Sequence, residues 1–568
     1  MPTLQSITIR MYYTGFGDCF LLTFRYSDNS AKTLWIDFGA KNGKSEPMRV
    51  IARHLKQYLT DAGLVRDGKP LVDVLAITHE HQDHISGLKQ AAAELGLDDD
   101  NSANDPLEIG QVWFAWTEDP NNDLAKAWRG HKRASRLALQ KATQQVAAMA
   151  AAPAGLVSRL GMLAGFEFAA HETDDDSQNP TPANTQQLNF DFALHNSYEA
   201  LIAKVNQQNV HYLRPGHTDP DKSVHPGDLI GKVAGSVPGA TIFPGMTLFV
   251  LGPPEDLSII RAGEPEWDNS LRVNGFSIGE SHFAHADEDP ENTKPEDFWY
   301  YVRKAPFDEE FVLPIDLDRQ KLPDGVIQSY HQQTPVSQRL TKQFGKLKKT
   351  DVFNHYFDND QAWRQINSDY LMGTDDLGIK LNTGMNNTSL VLAMEIGQTG
   401  EVLFFSGDAE FGVWNDWEKD RTSPDRVGKR QYTWTLPDHS DQTRPPRTVT
   451  AEDLMARTVF YKMGHHGSHN ATPNKRGVAK LSNPNLHSMI PVDGAMAENF
   501  KWDIPYERLT PQFGGRTIPH IRSDEATDAT IAEAQRLSDA NPLPSGAVVT
   551  WSKDPDGDLY VDWKLTLP

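Results

Sequence analysis

Short apolar runs near the beginning of the chain predict β-strands that are separated by turns. Residues 6–11 alternate between apolar and polar side chains, and residues 19–24 and 33–39 are almost continuously apolar. Residues 71–77 also have the apolar composition of a buried strand. This last strand leads directly into a loop that begins at Thr78 and is rich in histidine and aspartate.

Helical patterns occupy the middle of the chain, and strand patterns return towards its end. Residues 47–62 have amphipathic spacing, and residues 123–166 are rich in strong helix formers, with a break near Pro153. A further helix is predicted at residues 530–537. Strands are predicted at residues 243–252, 389–396, 402–405 and 459–462, and a closing hairpin at residues 547–551 and 559–567.

Charge and cysteine content narrow the classes of protein that fit. The 568 residues include 55 Lys and Arg and 77 Asp and Glu, for a net charge of −22. Such an acidic chain is disfavoured as a general coat for polyanions, although a local basic groove stays open. The one cysteine, Cys19, cannot form an intrachain disulfide. We see no signal peptide and no spanning segment, so we expect a cytoplasmic protein without membrane insertion.

The stretch that carries chemistry is Thr78-His79-Glu80-His81-Gln82-Asp83-His84. Imidazole and carboxylate are ligands that suit Zn, Mn or Fe. In an extended loop, the alternate positions of His79 and His81 direct both rings to one side, and Asp83 and His84 can reach a neighbouring position. Two metals about 3.5–4 Å apart can share one hydroxide and hold both oxygens of a displaced group. The alternative is a polar surface loop, but the preceding strand and the motifs below favour metal binding.

Five further motifs accompany the histidine loop along the chain. They are Tyr13-Thr14-Gly15-Phe16-Gly17-Asp18-Cys19, Trp35-Ile36-Asp37-Phe38-Gly39, Asn386-Asn387-Thr388-Ser389-Leu390-Val391-Leu392, Leu403-Phe404-Phe405-Ser406-Gly407-Asp408 and Tyr461-Lys462-Met463-Gly464-His465-His466-Gly467-Ser468. With these six motifs in order, the chain resembles the metallo-β-lactamase superfamily, and within it the branch of the soluble hydrolase domain of the bacterial competence protein ComEC. Residues 121–380 are mostly not covered by these motifs.

The resemblance implies an α/β fold, the αββα metallo-β-lactamase sandwich, with two mixed β-sheets packed face to face, helices outside and a large insertion. Residues 1–120 would form the first half of the core and residues 381–568 the second half. Residues 121–200 would be a helical insertion, residues 201–256 would add core strands, and residues 257–380 would be an insertion whose role the sequence leaves open.

The resemblance also implies two divalent metal ions, Zn or Mn, at one edge of the sheets. His79 and His81 would hold the first ion, and Asp83 and His84 the second. Asp408 would bridge both, because two dications and a hydroxide leave positive charge to neutralise. For Asp408, the alternative is an aspartate of a turn or a helix cap.

One of the two adjacent histidines, His465 or His466, would complete the second site. We favour His465 as the ligand, because it follows the glycine at the strand end. His466 would then stabilise or protonate the departing oxygen, and Asp83 or Asp408 would orient the nucleophile.

Four other residues are candidates for supporting roles. Asp37 could orient a ligand imidazole through its second ring nitrogen, or could satisfy loop amides at a strand end; Asp18 is similar. Many family members have a third histidine for the first metal where this chain has Asn387, so water or Asn387 would complete that site, and a one-metal site stays open. His217, far upstream in a Gly-His-Thr turn, is a further candidate metal ligand. The commoner explanation for such a residue is a loop histidine without a role at the site.

These observations predict a metal-dependent hydrolase, and specifically a phosphodiesterase or nuclease that uses a metal-bound hydroxide as nucleophile. One alternative is an acyl, thioester or lactone hydrolase with the same site; the other is a degenerate, non-catalytic subunit that binds a partner. The expected substrate is a phosphodiester, with nucleic acid among the options. A protein partner could bind through residues 121–380, and the oligomeric state is open.

A basic run lies within the predicted helical insertion. It comprises Arg129, Lys132, Arg133, Arg136 and Lys141. Such a run can contact a nucleic-acid backbone, but a solvated helix face is the more frequent explanation.

Overall fold

The fold is given by a computed structural model. It describes residues 2–41, 45–97, 106–133, 135, 201–205, 209–215, 229–230, 232–234, 242–261, 381–417, 432–436, 447–499, 502, 504–506, 509, 512–555 and 559–568. Its strands are β1 (Leu4–Tyr12), β2 (Phe20–Tyr26), β3 (Ala31–Ile36), β4 (Val65–Arg66), β5 (Lys69–Ile77), β6 (Glu108–Ala115), β7 (Val210–Arg214), β8 (Leu229–Ile230), β9 (Lys232–Ala234), β10 (Met246–Gly252), β11 (Val391–Ile396), β12 (Val402–Phe405), β13 (Thr433–Leu436), β14 (Arg447–Thr450), β15 (Thr458–Lys462), β16 (His487–Ile490), β17 (Gln512–Phe513), β18 (Arg516–Thr517), β19 (His520–Arg522), β20 (Val548–Lys553) and β21 (Tyr560–Thr566).

Helices lie between these strands along the chain. The α-helices are Ser45–Asp61, Gln82–Gln90, Ala92–Leu95, 123–133, 201–205, Leu257–Ile260, 381–386, Phe411–Asp416, Ala451–Ala456, Gly494–Asn499 and Asp528–Ala540. Short 3-10 or π-helical turns lie at Trp116–Glu118, His465–Gly467, Asn474–Val478 and Ser523–Glu525. Within the described residues, no helix has both the length and the apolar character that crossing a bilayer requires.

Two large mixed sheets organise the described residues. The first has the order β20-β21-β1-β2-β3-β5-β6-β7-β9, with β4 paired to β5, and the second has the order β19-β16-β15-β12-β11-β10-β8. The pairs β3–β5 and β5–β6 are parallel in the first sheet, as are β12–β15 and β15–β16 in the second. The protein is therefore a mixed α/β structure with two mixed sheets.

The two sheets share a hydrophobic core, and helices cover their other faces. Phe20 of the first sheet lies 5.9 Å from Phe405 of the second, measured between ring centroids, and Phe460 lies 5.0 Å from Trp563. Alternate residues of the first sheet pack instead with the apolar face of Ser45–Asp61. Helix Phe411–Asp416 contributes Trp414 to the outer face of the second sheet, 5.7 Å from Phe404.

Most of the strongly patterned elements predicted from the sequence are confirmed. The helix at 47–62 is observed at Ser45–Asp61, and the strand at 71–77 is observed at Lys69–Ile77. The closing hairpin is observed as the antiparallel pair β20–β21. Of the predicted helical region at 123–166, residues 123–133 are helical and most of the rest lies outside the described residues. The region 201–256 contributes β7 to the first sheet and β10 to the second.

The direction of the strands brings the motif loops to one edge. Strands β3 and β5 are parallel neighbours in the first sheet, so the loops after Ile36 and Ile77 leave from the same side. Strands β12 and β15 are parallel neighbours in the second sheet, so the loops after Phe405 and Lys462 do likewise. Residues at the carboxyl ends of such strands commonly form binding sites.

Candidate metal centre

His84 lies between two carboxylates that contact its two ring nitrogens. Its Nδ1 is 2.8 Å from Asp37 Oδ2, and its Nε2 is 3.1 Å from Asp408 Oδ2. Thr78 donates its backbone N–H to Asp37 Oδ1 and its hydroxyl to Asp37 Oδ2, each over 2.7 Å. All four residues are buried. Asp37 is thus held in one orientation and directs the Nε2 atom of His84 towards Asp408.

A second histidine approaches the same point from the other sheet. His466 donates its Nδ1–H to the carbonyl of Pro491 over 2.7 Å, which leaves Nε2 2.9 Å from Asp83 Oδ2. Asp83, His84, Asp408 and His466 each offer one ligand atom, and these atoms all lie within 4.8 Å of one another. These are ligand types that bind divalent transition metals.

One oxygen of this group indicates that a cation fits here. Asp83 Oδ1 is buried and has no hydrogen-bond partner among the described residues. A buried carboxylate oxygen without a partner is costly, and the binding of a cation is a recognised explanation for one. The donor set and this oxygen are therefore compatible with a bound divalent metal.

The carboxylates of the group raise the pKa values of its two histidines. Burial by itself would lower the pKa of His84, but the carboxylates of Asp408, Asp18 and Asp37 outweigh it and raise that pKa well above its ordinary value. For His466, burial also acts to lower the pKa, but the hydrogen bond to Asp83 and the charges of Asp408, Asp83 and Asp18 together outweigh it and raise the pKa. Since metal ligands must be deprotonated, a metal ion would compete with these protons for the same nitrogen atoms.

The pair His79 and His81 forms a second set of donors beside the first. His79 Nε2 is 3.0 Å from His81 Nδ1, and the ring of His79 lies 4.2 Å from the ring of His84. The hydroxyl oxygens of Thr78 and Ser389 lie 3.1 Å and 3.4 Å from His79 Nδ1 and fix the ring. Two imidazole nitrogens this close can serve one metal ion.

The adjacent histidines of the last motif face different surroundings. Both have left-handed backbone conformations, with φ of 47° at His465 and 55° at His466. The side chain of His465 is 17% exposed, and its Nδ1 lies 3.7 Å from Glu410 Oε1 and 3.5 Å from Asn386 Nδ2. Burial lowers the pKa of His465 to about 4. The structure therefore places His466 in the four-residue group and His465 beside it, whereas the sequence favoured His465 as the ligand.

The two asparagines at the end of helix 381–386, Asn386 and Asn387, also face different surroundings. Asn387 donates to the carbonyl of Ile260 over 2.9 Å and accepts the N–H of Glu410 over 3.0 Å. Its amide is thus used to hold backbone. Asn386 donates to Glu410 Oε1 over 2.7 Å, while its own Oδ1 is buried and has no partner among the described residues.

Lys462 is a functional candidate that the sequence reasoning did not single out. Its Nζ lies 2.5 Å from Asp18 Oδ2, 3.0 Å from Asp408 Oδ1 and 3.0 Å from the carbonyl oxygen of Gly407. The N–H of His465 also donates to Asp408 Oδ1, over 3.0 Å. Two donors thus hold this oxygen and leave Asp408 Oδ2 towards His84. The signal available was a lysine at the end of an otherwise apolar strand, three residues before the histidine pair.

Gly407 has the conformation that lets Asp408 enter the group. Its φ is 54°, and a Cβ at this position would lie 2.8 Å from the Cβ of Ser389. A side chain here would disturb both the turn and Ser389, whose hydroxyl oxygen lies beside His79 Nδ1 and accepts the backbone N–H of Asp408.

Two residues of the basic run, Lys132 and Arg129, do not lie on a solvated helix face. Lys132 is buried in an ion pair with Glu80. Arg129 donates to the carbonyl oxygens of Thr117 and Asp119, over 2.8 Å and 3.1 Å. Arg133 is exposed. Arg136, Lys141 and the candidate His217 lie outside the described residues.

Comparisons with protein-family models, with curated proteins and with solved structures return no match to this chain. The interpretation of the site therefore depends on its geometry and on the motifs of the sequence. That geometry brings two sets of donors, one of nitrogen atoms and one of nitrogen and oxygen atoms, from the three segments that follow β5, β12 and β15 to one buried place at the edge of both sheets.

Proposed function

We propose that the protein is a metal-dependent hydrolase of the metallo-β-lactamase type that cleaves phosphodiesters. The observation that carries the proposal is the convergence of six ligand-type side chains at one edge, with a buried oxygen of Asp83 that lacks a partner among the described residues. A buried group of this kind is costly to the fold, which favours a functional reason for it.

Two divalent cations, Zn or Mn, would be held by distinct donors. His79 Nε2 and His81 Nδ1 would hold the first. Asp83, His84 and His466 would hold the second, and Asp408 would contribute Oδ2 between them. Bound there, the cations would bring the pKa of a coordinated water towards neutrality and offset negative charge on a phosphoryl oxygen.

The remaining residues of the site keep the donors in place and handle the proton. Asp37 and Thr78 keep His84 Nε2 directed inwards, and Lys462 keeps one oxygen of Asp408 occupied. His465 stands beside the group with part of its ring exposed, where a substrate could reach it. We assign to His465 the role of stabilising the departing oxygen with a hydrogen bond from its neutral ring, which exchanges the roles that the sequence suggested for the two histidines.

Phosphodiesters are the substrate class that the resemblance to the ComEC branch supports. Asn386 and Asn387 in place of a third histidine argue mildly against an acyl, thioester or lactone hydrolase. Nucleic acid is the first phosphodiester polymer to test as a substrate. We also propose a cytoplasmic location, because the single cysteine cannot form an intrachain disulfide. A protein partner that binds through residues 121–380 is also part of the proposal.

The test compares the wild-type protein with two double variants. Asp83→Ala/His84→Ala removes two proposed ligands, and His520→Ala/Asp528→Ala removes the same residue types far along the chain. Each protein is reconstituted with Zn or Mn, analysed for metal content, and assayed on DNA, RNA and bis-(p-nitrophenyl) phosphate. We expect about two metals per chain and cleavage in the wild type and the control, and neither in the site variant.

Each other outcome points to a different reading. Bound metal with hydrolysis of thioesters or lactones, and none of phosphodiesters, would replace the proposed substrate class. Failure of the wild type to bind metal after reconstitution would refute the enzyme and favour a non-catalytic subunit that binds a partner.

A further inference from the structure

Helix 123–133 contacts the loop that carries the first pair of histidines. The ammonium group of Lys132 forms an ion pair with Glu80, and the two side chains are only 6% and 9% exposed. Glu80 lies between His79 and His81 in the chain. Any movement of the Glu80 backbone would therefore displace one or both imidazoles.

The same helix is held by contacts with two other segments, the turn after strand β6 and helix 381–386. Arg129 donates to the carbonyl oxygens of Thr117 and Asp119, which follow strand β6. Trp128 is buried against helix 381–386, so closely that a Cβ on Gly384 would lie 2.9 Å from its ring. Because it is held at these points, the helix can present Lys132 to Glu80 in a defined position.

The charge of Lys132 is needed where it lies. Glu118 is also near Glu80, and burial together with the charge of Glu80 raises the pKa of Glu118 to about 7, against the opposing charges of Lys132 and Arg129. A buried carboxylate that loses its counterion is strongly unfavourable, and it either moves to solvent or becomes neutral. Without Lys132, Glu80 would either leave its position and move the loop with it, or take up a proton and lose the ion pair that fixes the loop.

We propose that Lys132 is a positioning residue for the metal centre. Through Glu80, it holds the loop of residues 78–84 in the conformation that brings His79 Nε2 and His81 Nδ1 together. The inference rests on the proposed function in one respect, namely that these two nitrogen atoms bind metal. It also links the helical segment that follows strand β6 to the chemistry of the site.

The test uses Lys132→Met, Glu80→Gln and the double variant, with Lys126→Met as the matched control. Lys126 lies on the same helix and pairs with Asp123, but its side chain is 54% exposed. Hydrogen–deuterium exchange of the peptide covering residues 78–84 is measured in the metal-free proteins. The affinity for Zn is measured by competition with a chromophoric chelator.

We expect Lys132→Met to speed exchange in this peptide and to weaken Zn binding about 10- to 100-fold, as for other residues that orient ligands. Glu80→Gln should act in the same direction, because it removes the carboxylate that pairs with the buried Lys132. The double variant should recover much of both losses, because neither member of the Lys132–Glu80 pair is then left charged without the other. Lys126→Met should match the wild type.

Two results would overturn the inference. One is that exchange and affinity in Lys132→Met equal those in Lys126→Met; the other is that the double variant is as impaired as the single ones. If Lys132→Met does not fold, Glu80→Gln and the double variant carry the comparison. A wild type that binds no Zn would refute the proposed function, whereas the exchange measurement would still decide the positioning role.

Discussion

Replacement of Asp37 by asparagine isolates the role of one buried carboxylate in preparing a metal ligand. The amide oxygen of asparagine can still accept the N–H of Thr78, as Asp37 Oδ1 does over 2.7 Å. The amide nitrogen then replaces Oδ2 and faces His84 Nδ1, which lies 2.8 Å from that position. An N–H directed at Nδ1 requires a lone pair there, so the ring proton moves to Nε2.

The expected loss follows from that change of tautomer. His84 Nε2 is the atom that lies 3.1 Å from Asp408 Oδ2, and a proton on it is incompatible with metal ligation. Loss of a residue that orients a ligand generally costs 10- to 100-fold in metal affinity, which corresponds to about 1.4–2.8 kcal/mol. We expect Asp37→Asn to fall in this range.

Asp73→Asn is the matched control for this measurement. Asp73 Oδ2 accepts the N–H and the hydroxyl of Thr33, over 2.9 Å and 3.2 Å, so Asp73, like Asp37, accepts both donors of one threonine, although on a single oxygen. Zn affinity is measured by chelator competition, and the unfolding of the metal-free proteins by urea. Asp73→Asn should lose stability without loss of affinity. If Asp37→Asn binds Zn as tightly as Asp73→Asn does, the assignment of Asp37 as the residue that orients His84 is wrong.

Two further predictions concern stability. Lys462→Met should destabilise the metal-free protein by about 3–5 kcal/mol, because the buried carboxylates of Asp18 and Asp408 lose the ammonium group that they share. Urea unfolding measures this loss, with a variant of the more exposed Lys480, Lys480→Met, as the control. Equal losses of stability in the two variants would refute the prediction. Burial lowers the pKa of His487 from 6.5 to about 4, so the unfolded chain binds a proton in this window that the folded chain does not. The free energy of unfolding is therefore unaffected by this group above pH 6.5 and falls by up to roughly 3 kcal/mol as the pH falls to 4. His487→Gln should reduce this dependence of the free energy of unfolding on pH, as measured by urea unfolding. An unchanged dependence would contradict the prediction.

The sequence predicted the elements whose apolar pattern is strong and missed those whose pattern is mixed. Lys69–Ile77 and Val391–Ile396 are nearly continuous apolar runs, because both faces of their sheets are covered. His487–Ile490 was not recognised, because its first residue is a histidine. That ring is buried only because Val459 and Ser538 supply hydrogen-bond partners from other elements. Tertiary contacts of this kind leave no trace in local periodicity.

The location of the site followed from the sequence more readily than the directions of its side chains. The motif residues come at strand ends, and parallel strands bring those ends to one edge. The side-chain directions of His465 and His466 depend on the left-handed backbone conformation of both residues. This conformation is uncommon for residues other than glycine, so the sequence does not predict it. The burial of Lys132 is similar, since helical spacing cannot say which loop packs on a given face.

The pairing of β10 with β11 bears on how a chain of this kind can change in length. Met246 lies directly opposite Ile396, so these strands are neighbours in the sheet although residues 253–390 lie between them. The entropy lost on joining two ends grows only with the logarithm of the intervening length, about 0.6 kcal/mol for each doubling. Insertions and deletions between Arg261 and Leu381 are therefore nearly neutral for the pairing of these two strands. Relatives of this protein could differ greatly in size at this point while they keep the same strand pairing.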